Sequence, residues 1–395
     1  MEPAEILSNA LRVAEFDLDK NQVEEKVVQQ LLQTVVSCPT KAPIRILLTG
    51  MMVKIYKPEI DVRKPFNKRK GKKEKDKIES SDSYSGRGYD EEFISDFIFK
   101  NKLDITRTTG FLTPAFRTRA GVLTPDFELN GKHPQAYKAV LNIFDAVQKG
   151  ELSPINVLNE VVRLLLKQRN KNRAAIEGKL QKLREVEEVS FTSLSSEDIV
   201  KLIEAQFSVS GASRLPVLLI AAAYNCVGSG FGEKILSLHA HNAADSQTNS
   251  LGDIEVRLES DDKVVTVYEM KMKMVLDADI EAALVKLVNK PHVDNYIFIT
   301  TDIIDQVVQR KAFDLYNTYG TEFVILDCLG FVRHFLHFFH RSRVTFLDTY
   351  QELLLNEPSN DVSQEQKEFW ITARIAAEMK NSQDFERRQA AKEWK

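Results

Sequence analysis

Two carboxylates and one ammonium group between residues 251 and 273 have the types and the spacing of a site that cuts phosphodiesters. Asp253 begins one run in which apolar and polar residues alternate, and Glu269 and Lys271 lie two residues apart on a second such run. Carboxylate oxygens are ligands that Mg²⁺ prefers. A bound divalent cation lowers the pKa of water and stabilises charge on a phosphate. We therefore expect Asp253 and Glu269 to hold the cation, and Lys271 to orient the attacking water or to stabilise the transition state.

The tripeptide Glu-x-Lys is weak evidence by itself, because it occurs six times in the chain. Only the copy at Glu269 lies in a β-branched run, Val264–Lys273, with the two-residue period of a strand. The other copies lie in polar stretches typical of helices or chain ends, and begin at Glu24, Glu177, Glu365, Glu378 and Glu393. Side chains two apart in a strand point to one face, so Glu269 and Lys271 share a face. The same alternation adds Val265 and Val267 to that face.

The register of the predicted hairpin decides whether the two acids meet. A tight loop centred on Asp261 pairs Glu259 with Lys263, a favourable contact between opposite charges. The same register puts Asp253 opposite Glu269, with Cβ atoms about 4.5–5.5 Å apart. Two carboxylates this close repel unless a cation lies between them, and a one-residue slip would send them to opposite faces. The alternative interpretation is an ordinary exposed hairpin face that carries charges.

The elements around the two runs predict an α/β fold. Upstream, Leu215–Val227 is typical of a buried helix and Lys234–Leu238 of a strand. The predicted downstream elements are a helix at Asp279–Asn289, a strand at Tyr296–Thr300, a helix at Ile303–Tyr319, a strand at Phe323–Leu326 and a helix at Phe331–Phe339. The order α-β-β-β-α-β-α-β-α predicts a central mixed sheet with helices on both faces, and the acids fall on its second and third strands.

Several short motifs resemble the SacI family of type II restriction endonucleases, within the PD-(D/E)xK nuclease superfamily. Those in the second half of the chain are Leu215-Pro216-Val217, His239-Ala240-His241, Ala244-Asp245, Gly252-Asp253-Ile254-Glu255 and Glu269-Met270-Lys271. Those nearer the N-terminus are Lys57–Pro65, Ser85–Glu91 and Phe111–Arg117. One departure is visible, because Gly252 stands where the superfamily usually has proline.

The resemblance implies Mg²⁺-dependent cleavage of double-stranded DNA at a short, palindromic site, beside a cognate DNA methyltransferase that acts on the same site. A palindrome is commonly read by a two-fold dimer, so we expect a homodimer. The resemblance also implies that the Met270 carbonyl is a further metal ligand. It implies supporting roles for His241 and Asp245. Glu255, on the same face as Asp253, could hold a second metal or a water, and the alternative is a salt bridge to Arg257 or Lys273.

Arginines and hydroxyl side chains are concentrated in residues 85–119, and such groups contact phosphates and base edges. On the strength of the resemblance we expect DNA contacts from Arg63, Ser85, Arg87, Tyr89, Arg107, Thr108 and Arg117. The alternative is a helix at Asp90–Lys100 with its capping and turn residues. The run Arg63–Lys77 holds nine Lys or Arg and two acids, a pattern more typical of a solvated insertion.

The chain of 395 residues is long enough for two domains. We expect a mostly helical N-terminal domain at 1–190, with a possible role in DNA recognition, and a PD-(D/E)xK nuclease domain at 191–395. A net charge of −3 does not exclude DNA binding, since a local basic patch suffices. The C-terminal helix Gln364–Gln389 could pack on the core or join two subunits.

The remaining features suggest a protein of the prokaryotic cytoplasm with no membrane partner. No run approaches 18 apolar residues, and the N-terminus is not a signal peptide. The three cysteines lack metal spacing, which favours reduced core residues. Gly228-Ser229-Gly230 is not a nucleophile elbow and no phosphate-binding Gly-Lys loop is present. The alternatives that remain are a repair or structure-specific nuclease of the same fold and a non-catalytic DNA-binding protein.

Overall fold

The computed structural model describes residues 1–65, 82–105, 109–113, 115, 122–129, 131–189, 193–236, 238, 250–288, 290–359 and 361–393. The chain divides into two compact units, Met1–Ala174 and Ala175–Lys395. The boundary falls inside the long helix Pro154–Val189. The reason is packing, because Val157 and Leu166 of this helix belong to the core of the first unit and Leu183 belongs to the core of the second.

The first unit is helical. Its elements are α1 (Pro3–Phe16), α2 (Lys26–Val36), α3 (Ala42–Tyr56), α4 (Gly86–Tyr89), a π-helical turn (Asp90–Ile94), α5 (Ser95–Lys100), a 3₁₀ turn (Gly110–Leu112), α6 (Pro134–Gln148) and the first part of α7 (Pro154–Val189). Helix α3 is buried from Pro43 to Val53, as expected of a helix that is apolar on nearly all sides. The helix predicted at Asp90–Lys100 is present, and its first turn is π-helical.

A buried ion pair ties three segments of this unit together. Arg45 on α3 and Asp90 in the π-helical turn are fully buried, and Arg45 Nε lies 3.0 Å from Asp90 Oδ1. The Thr109 hydroxyl and the Gly110 N–H, which is 3.0 Å away, also donate to Asp90. Arg45 Nη2 donates to the Ser95 hydroxyl at 2.6 Å. Buried charges persist only with such partners.

The second unit is built on a five-stranded mixed sheet. Its strands are β1 (Glu233–Ile235), β2 (Ile254–Leu258), β3 (Val264–Lys271), β4 (Asn295–Thr300) and β5 (Glu322–Asp327), in that spatial order. Strands β1, β2 and β3 are antiparallel neighbours, whereas β3, β4 and β5 run parallel. The predicted mixed sheet and its order of elements are confirmed.

Helices cover both faces of the sheet. They are α8 (Ser196–Phe207), α9 (Leu215–Val227), α10 (Asp277–Leu287), α11 (Gln306–Asp314), α12 (Tyr316–Tyr319), α13 (Cys328–Phe338), α14 (Arg343–Asn356) and α15 (Gln364–Glu393), with 3₁₀ turns at Ala212–Arg214, Gly228–Phe231 and His340–Ser342. Tyr268 and Ile299 on one face pack with residues of α8, α9 and α13 to α15. Val267 and Phe298 on the other face pack with residues of α10 and α11.

Two helices of this unit bury their apolar surfaces in the core. The segment Ala212–Phe231, which contains α9, has the length and composition of a membrane span, but most of its apolar part is buried inside the structure, as in a core helix. On α15, Trp370 and Ile371 are fully buried in the same cluster, so this helix packs on the core.

The β2–β3 hairpin has the predicted register near the acids and a different register near its loop. Ile254 pairs with Tyr268, which is the register that places Asp253 opposite Glu269. The pairing then shifts by one residue, and the Leu258 N–H donates to the Lys263 carbonyl at 3.0 Å. The predicted pairing of Glu259 with Lys263 is therefore wrong.

A β-bulge at Val265 causes the shift. Val256 pairs with Thr266 and Arg257 with Val264, so Val265 is the extra residue of β3. The bulge also changes the facing of the strand, because Val265 packs in the cluster that contains Tyr268 while Val267 packs in the other. The prediction that Val265 shares the face of Glu269 is wrong for the same reason.

Candidate active site

The candidate residues lie at one edge of the sheet. Asp253 directly precedes β2, and Glu269 and Lys271 are at the end of β3. Because β2 and β3 are antiparallel, the start of one strand and the end of the other meet at the same edge. The structure thus brings together the three residues that the sequence pattern singles out.

Ammonium groups approach both oxygens of the Glu269 carboxylate. Lys271 Nζ lies 3.2 Å from Oε1, and Lys286 Nζ on α10 lies 2.9 Å from Oε2. The Tyr296 hydroxyl on β4 is 3.3 Å from Oε2 and 3.1 Å from the carbonyl oxygen of Leu251. Three neighbours therefore hold a side chain that is only 15% exposed.

Lys271 bridges two carboxylates. Its Nζ is 3.2 Å from Glu269 and 3.2 Å from Asp279 Oδ1 on α10. Burial disfavours the charged form, but Glu269 and Asp279 outweigh it and raise the pKa of Lys271. Burial also opposes ionisation of Asp279, yet the Leu276 N–H and Lys271 lower the pKa of Asp279 overall. At neutral pH Lys271 is therefore an ammonium, which stabilises negative charge and does not act as a base.

The Asp253 carboxylate is held by the backbone of β3. Asp253 Oδ2 accepts a hydrogen bond of 2.7 Å from the Met270 N–H. The N–H and C=O of one strand residue point to the same side of the strand, so the Met270 carbonyl also faces the Asp253 side. Two carboxylates and a carbonyl are the oxygen donors that Mg²⁺ prefers, and the residues present fit this ion.

Steric contacts require glycine at position 252, directly before Asp253. A Cβ atom at position 252 would lie 2.5 Å from Val267 Cγ1 and 2.7 Å from the Tyr268 carbonyl oxygen. That same carbonyl accepts the Asp253 N–H at 2.9 Å. The backbone before β2 thus approaches β3 too closely for any side chain, which explains why this chain departs from proline at that position.

Glu255 supports the segment that leads into Asp253. It is 9% exposed and accepts hydrogen bonds from the Leu251 N–H at 2.8 Å and the Ser250 hydroxyl at 3.2 Å. Its second oxygen lies 3.3 Å from Arg257 Nη2, so the salt bridge considered as an alternative is present. His241 and Asp245 lie outside the described residues.

Asp279, Lys286 and Tyr296 were not predicted from the sequence. Asp279 and Lys286 are seven residues apart on α10 and so share one face of it, a signal that was available in the sequence. We call Glu269, Lys271, Asp279 and Lys286 the Glu269 cluster. Within the described part of the chain, no group of three or more His, Cys, Asp or Glu is arranged to hold a metal. The expected donors, Asp253 and Glu269 with the Met270 carbonyl, include only two such side chains.

The predicted DNA contacts of the first unit have varied surroundings. Arg63 is 23% exposed and lies 3.0 Å from Asp61 and 2.9 Å from Asp145. Arg87 is 57% exposed and pairs with Glu91 at 2.6 Å. Arg107, Thr108 and Arg117 lie outside the described residues.

Ser85 and Tyr89 have local contacts. The Ser85 hydroxyl accepts the Gly88 N–H at 3.2 Å and caps α4. The Tyr89 ring stacks on Phe93 with centroids 6.0 Å apart, and Lys57 Nζ lies 5.8 Å from the Tyr89 centroid.

Residues 190–301 match the family model described as SacI restriction endonuclease C-terminal domain. This range contains strands β1 to β4, helix α10 and the whole candidate site. The match confirms the resemblance for this part of the chain, and it indicates a restriction endonuclease that binds DNA. A comparison with curated proteins found no match.

Proposed function

We propose that this protein is a type II restriction endonuclease that hydrolyses double-stranded DNA at a short palindromic site with Mg²⁺. One observation carries the proposal. The antiparallel register of β2 and β3 puts Asp253 beside Glu269 and Lys271 at one sheet edge, inside the matched domain. Carboxylates converging with an ammonium suit metal-assisted hydrolysis better than any other reaction of these residue types.

The roles of the side chains follow from their contacts. Asp253, Glu269 and the Met270 carbonyl would hold Mg²⁺, which supplies an acidified water and positive charge at the phosphate. The Met270 N–H orients Asp253, and the Tyr296 hydroxyl and two lysines orient Glu269. Lys271, kept protonated by its two carboxylates, stabilises the negative charge that develops on the phosphate oxygens.

The symmetry of a palindromic substrate favours a homodimer. A palindromic site presents the same bonds on both strands, and two copies of this chain related by a two-fold axis would place one site on each strand. A cognate methyltransferase that modifies the same sequence would protect the DNA of the host. The protein acts in the cytoplasm under this proposal.

Digestion of plasmid and phage DNA tests the function. The wild type, Glu269→Gln and Lys271→Met would be incubated with Mg²⁺ and, separately, with EDTA. The matched control is Glu24→Gln with Lys26→Met, which alters an exposed Glu-x-Lys tripeptide in the first unit. We expect discrete Mg²⁺-dependent bands from the wild type and the control, and a loss of about a thousandfold or more in both site variants.

Other results point to other functions. A smear that both site variants abolish would indicate a repair or structure-specific nuclease with the same site. Cutting that survives both substitutions would exclude this site. DNA binding by a wild type that never cuts would indicate a non-catalytic DNA-binding protein.

A further inference from the structure

Lys286 pairs with the carboxylate of Glu269, which is the proposed ligand of the divalent cation. Its Nζ is 2.9 Å from Glu269 Oε2, and its side chain is 22% exposed. It lies near the C-terminal end of α10, one residue before Leu287. A lysine side chain is long and flexible, so its ammonium group can leave this position without a change in the helix.

The two lysines of the Glu269 cluster reach Glu269 from different elements. Lys271 lies between Glu269 and Asp279, at 3.2 Å from each. It also extends from β3, the strand that carries Glu269. Lys286 reaches the carboxylate from a separate element, and the Tyr296 hydroxyl lies beside it at the same oxygen. If the Lys286 ammonium moves, this hydroxyl still contacts Oε2 and Lys271 still contacts Oε1.

A divalent cation and the Lys286 ammonium compete for one carboxylate. A cation that takes Glu269 as a ligand approaches an oxygen pair already matched with two positive charges. Like charges at such distances repel strongly where water is partly excluded. The ammonium must therefore move away when the cation binds.

We propose that Lys286 is a positioning residue that fills the cation position at Glu269 until a divalent cation displaces it. In the metal-free enzyme it holds the carboxylate in its ligating place, and it sets a threshold of cation concentration for binding. This inference rests on the proposed function in one respect, namely that Glu269 is a metal ligand.

Binding of Mn²⁺ to the full chain without DNA tests the inference. Free Mn²⁺ would be measured by electron paramagnetic resonance for the wild type and for Lys286→Met, Lys286→Arg and Lys311→Met. Lys311 is the matched control, because it is a half-exposed lysine on α11 that pairs with Asp277 at 3.0 Å. We expect Lys286→Met to bind Mn²⁺ about tenfold more tightly. Lys286→Arg, which keeps the charge, and Lys311→Met should match the wild type.

The double variant Lys286→Met with Glu269→Gln locates the effect. The gain in affinity should vanish in it, because the ligand for which the two cations compete is gone. Mn²⁺ binding by Lys286→Met that is no tighter than wild type, including no binding by either, overturns the inference. An equal gain in the double variant overturns it as well.

Failure of this inference is distinguishable from failure of the proposed function. If Glu269→Gln abolishes cutting while Lys286→Met leaves Mn²⁺ affinity unchanged, the nuclease stands and the competition does not. If Lys286→Met gains affinity through Glu269 but the wild type never cuts DNA, the competition stands and the nuclease does not.

Discussion

Arg45 with Asp90 in the first unit and Lys271 with Glu269 in the second are ion pairs with similar distances and different surroundings. The first pair is fully buried, whereas the side chains of the second are 21% and 15% exposed. Asp90 accepts hydrogen bonds from the side chains of Arg45 and Thr109 and from the backbone N–H of Gly110. At Glu269 two lysines share one carboxylate, and Lys271 is shared in turn with Asp279.

This difference in burial and in shared partners distinguishes a structural ion pair from a candidate active site. The Arg45–Asp90 pair connects three segments and has no access for water, so its value is to fix them in one arrangement. The Glu269 cluster has more than one way to pair its charges, and its side chains are partly exposed. Shared partners at a partly exposed edge, and not the ion pair itself, mark the Glu269 cluster as a candidate site for chemistry.

Removing one acid from each pair should give the largest contrast. We expect Asp90→Ala to destabilise the first unit by about 3–5 kcal/mol, because the buried Arg45 loses the counter-charge of Asp90. Glu269→Gln should change the free energy of unfolding by about 1 kcal/mol or less, since its lysines can turn to water or to Asp279. Urea unfolding followed by circular dichroism measures both.

Asp90→Asn should destabilise the first unit less than Asp90→Ala, because it keeps the shape of the side chain and removes only the charge. Equal losses of stability in Asp90→Ala and Glu269→Gln would mean that both pairs are structural. The distinction between the two regions would then fail.

A methyl group at position 252 should damage the edge of the sheet without touching a charge. Gly252→Ala places its Cβ against Val267 and the Tyr268 carbonyl, which we expect to cost about 1–3 kcal/mol of stability. The displaced Asp253 should lower the cleavage rate by about a hundredfold. Gly230→Ala is the control, because nothing lies within 4 Å of its added Cβ. A Gly252→Ala protein that cuts like the wild type would show that the position of Asp253 is not critical.

The same rule of exposure divides the arginines of the first unit. Arg63 is held by Asp61 and Asp145, so we expect Arg63→Ala to cost about 1–3 kcal/mol of stability. The more exposed Arg87 should matter for DNA instead. Arg87→Ala should weaken binding severalfold and reduce the slope of log affinity against log salt concentration by about 1. Fluorescence anisotropy at several salt concentrations measures this, and an unchanged slope would exclude a phosphate contact by Arg87.

How far the sequence predicts the structure depends on which interactions decide each feature. Periodicity predicted the strands and the order of elements, because the alternation of apolar residues is what packs a sheet between two helical layers. It did not predict the bulge at Val265, because Val264, Val265 and Val267 are alike and only packing selects the extra residue.

The site was predictable to the extent that its residues are close in sequence. Asp253, Glu269 and Lys271 lie on one hairpin, so a register argument could bring them together. Lys286 and Tyr296 arrive from α10 and β4, and their approach depends on how the crossover helix packs on the sheet. The seven-residue spacing puts Asp279 and Lys286 on one face of α10, but spacing does not say which strand residue that face meets.

The smallest expected effect is a shift in pH dependence that tests the pairing of Lys271 with Asp279. Carboxylates raise the pKa of Lys271, so its ammonium form, and the stability it contributes, persists below the ordinary lysine value and is lost only as pH rises through the raised value. We therefore expect no loss of wild-type cleavage from Lys271 between about pH 7 and about pH 9.

Asp279→Asn removes one carboxylate while burial continues to favour the neutral amine, so the alkaline loss of activity should begin at lower pH. Asp277→Asn, in the same helical turn and half-exposed beside Lys311, should leave the profile unchanged. If the Asp279→Asn profile coincides with that of the wild type, Glu269 alone keeps Lys271 charged, and Asp279 is not needed for the charge of the Glu269 cluster.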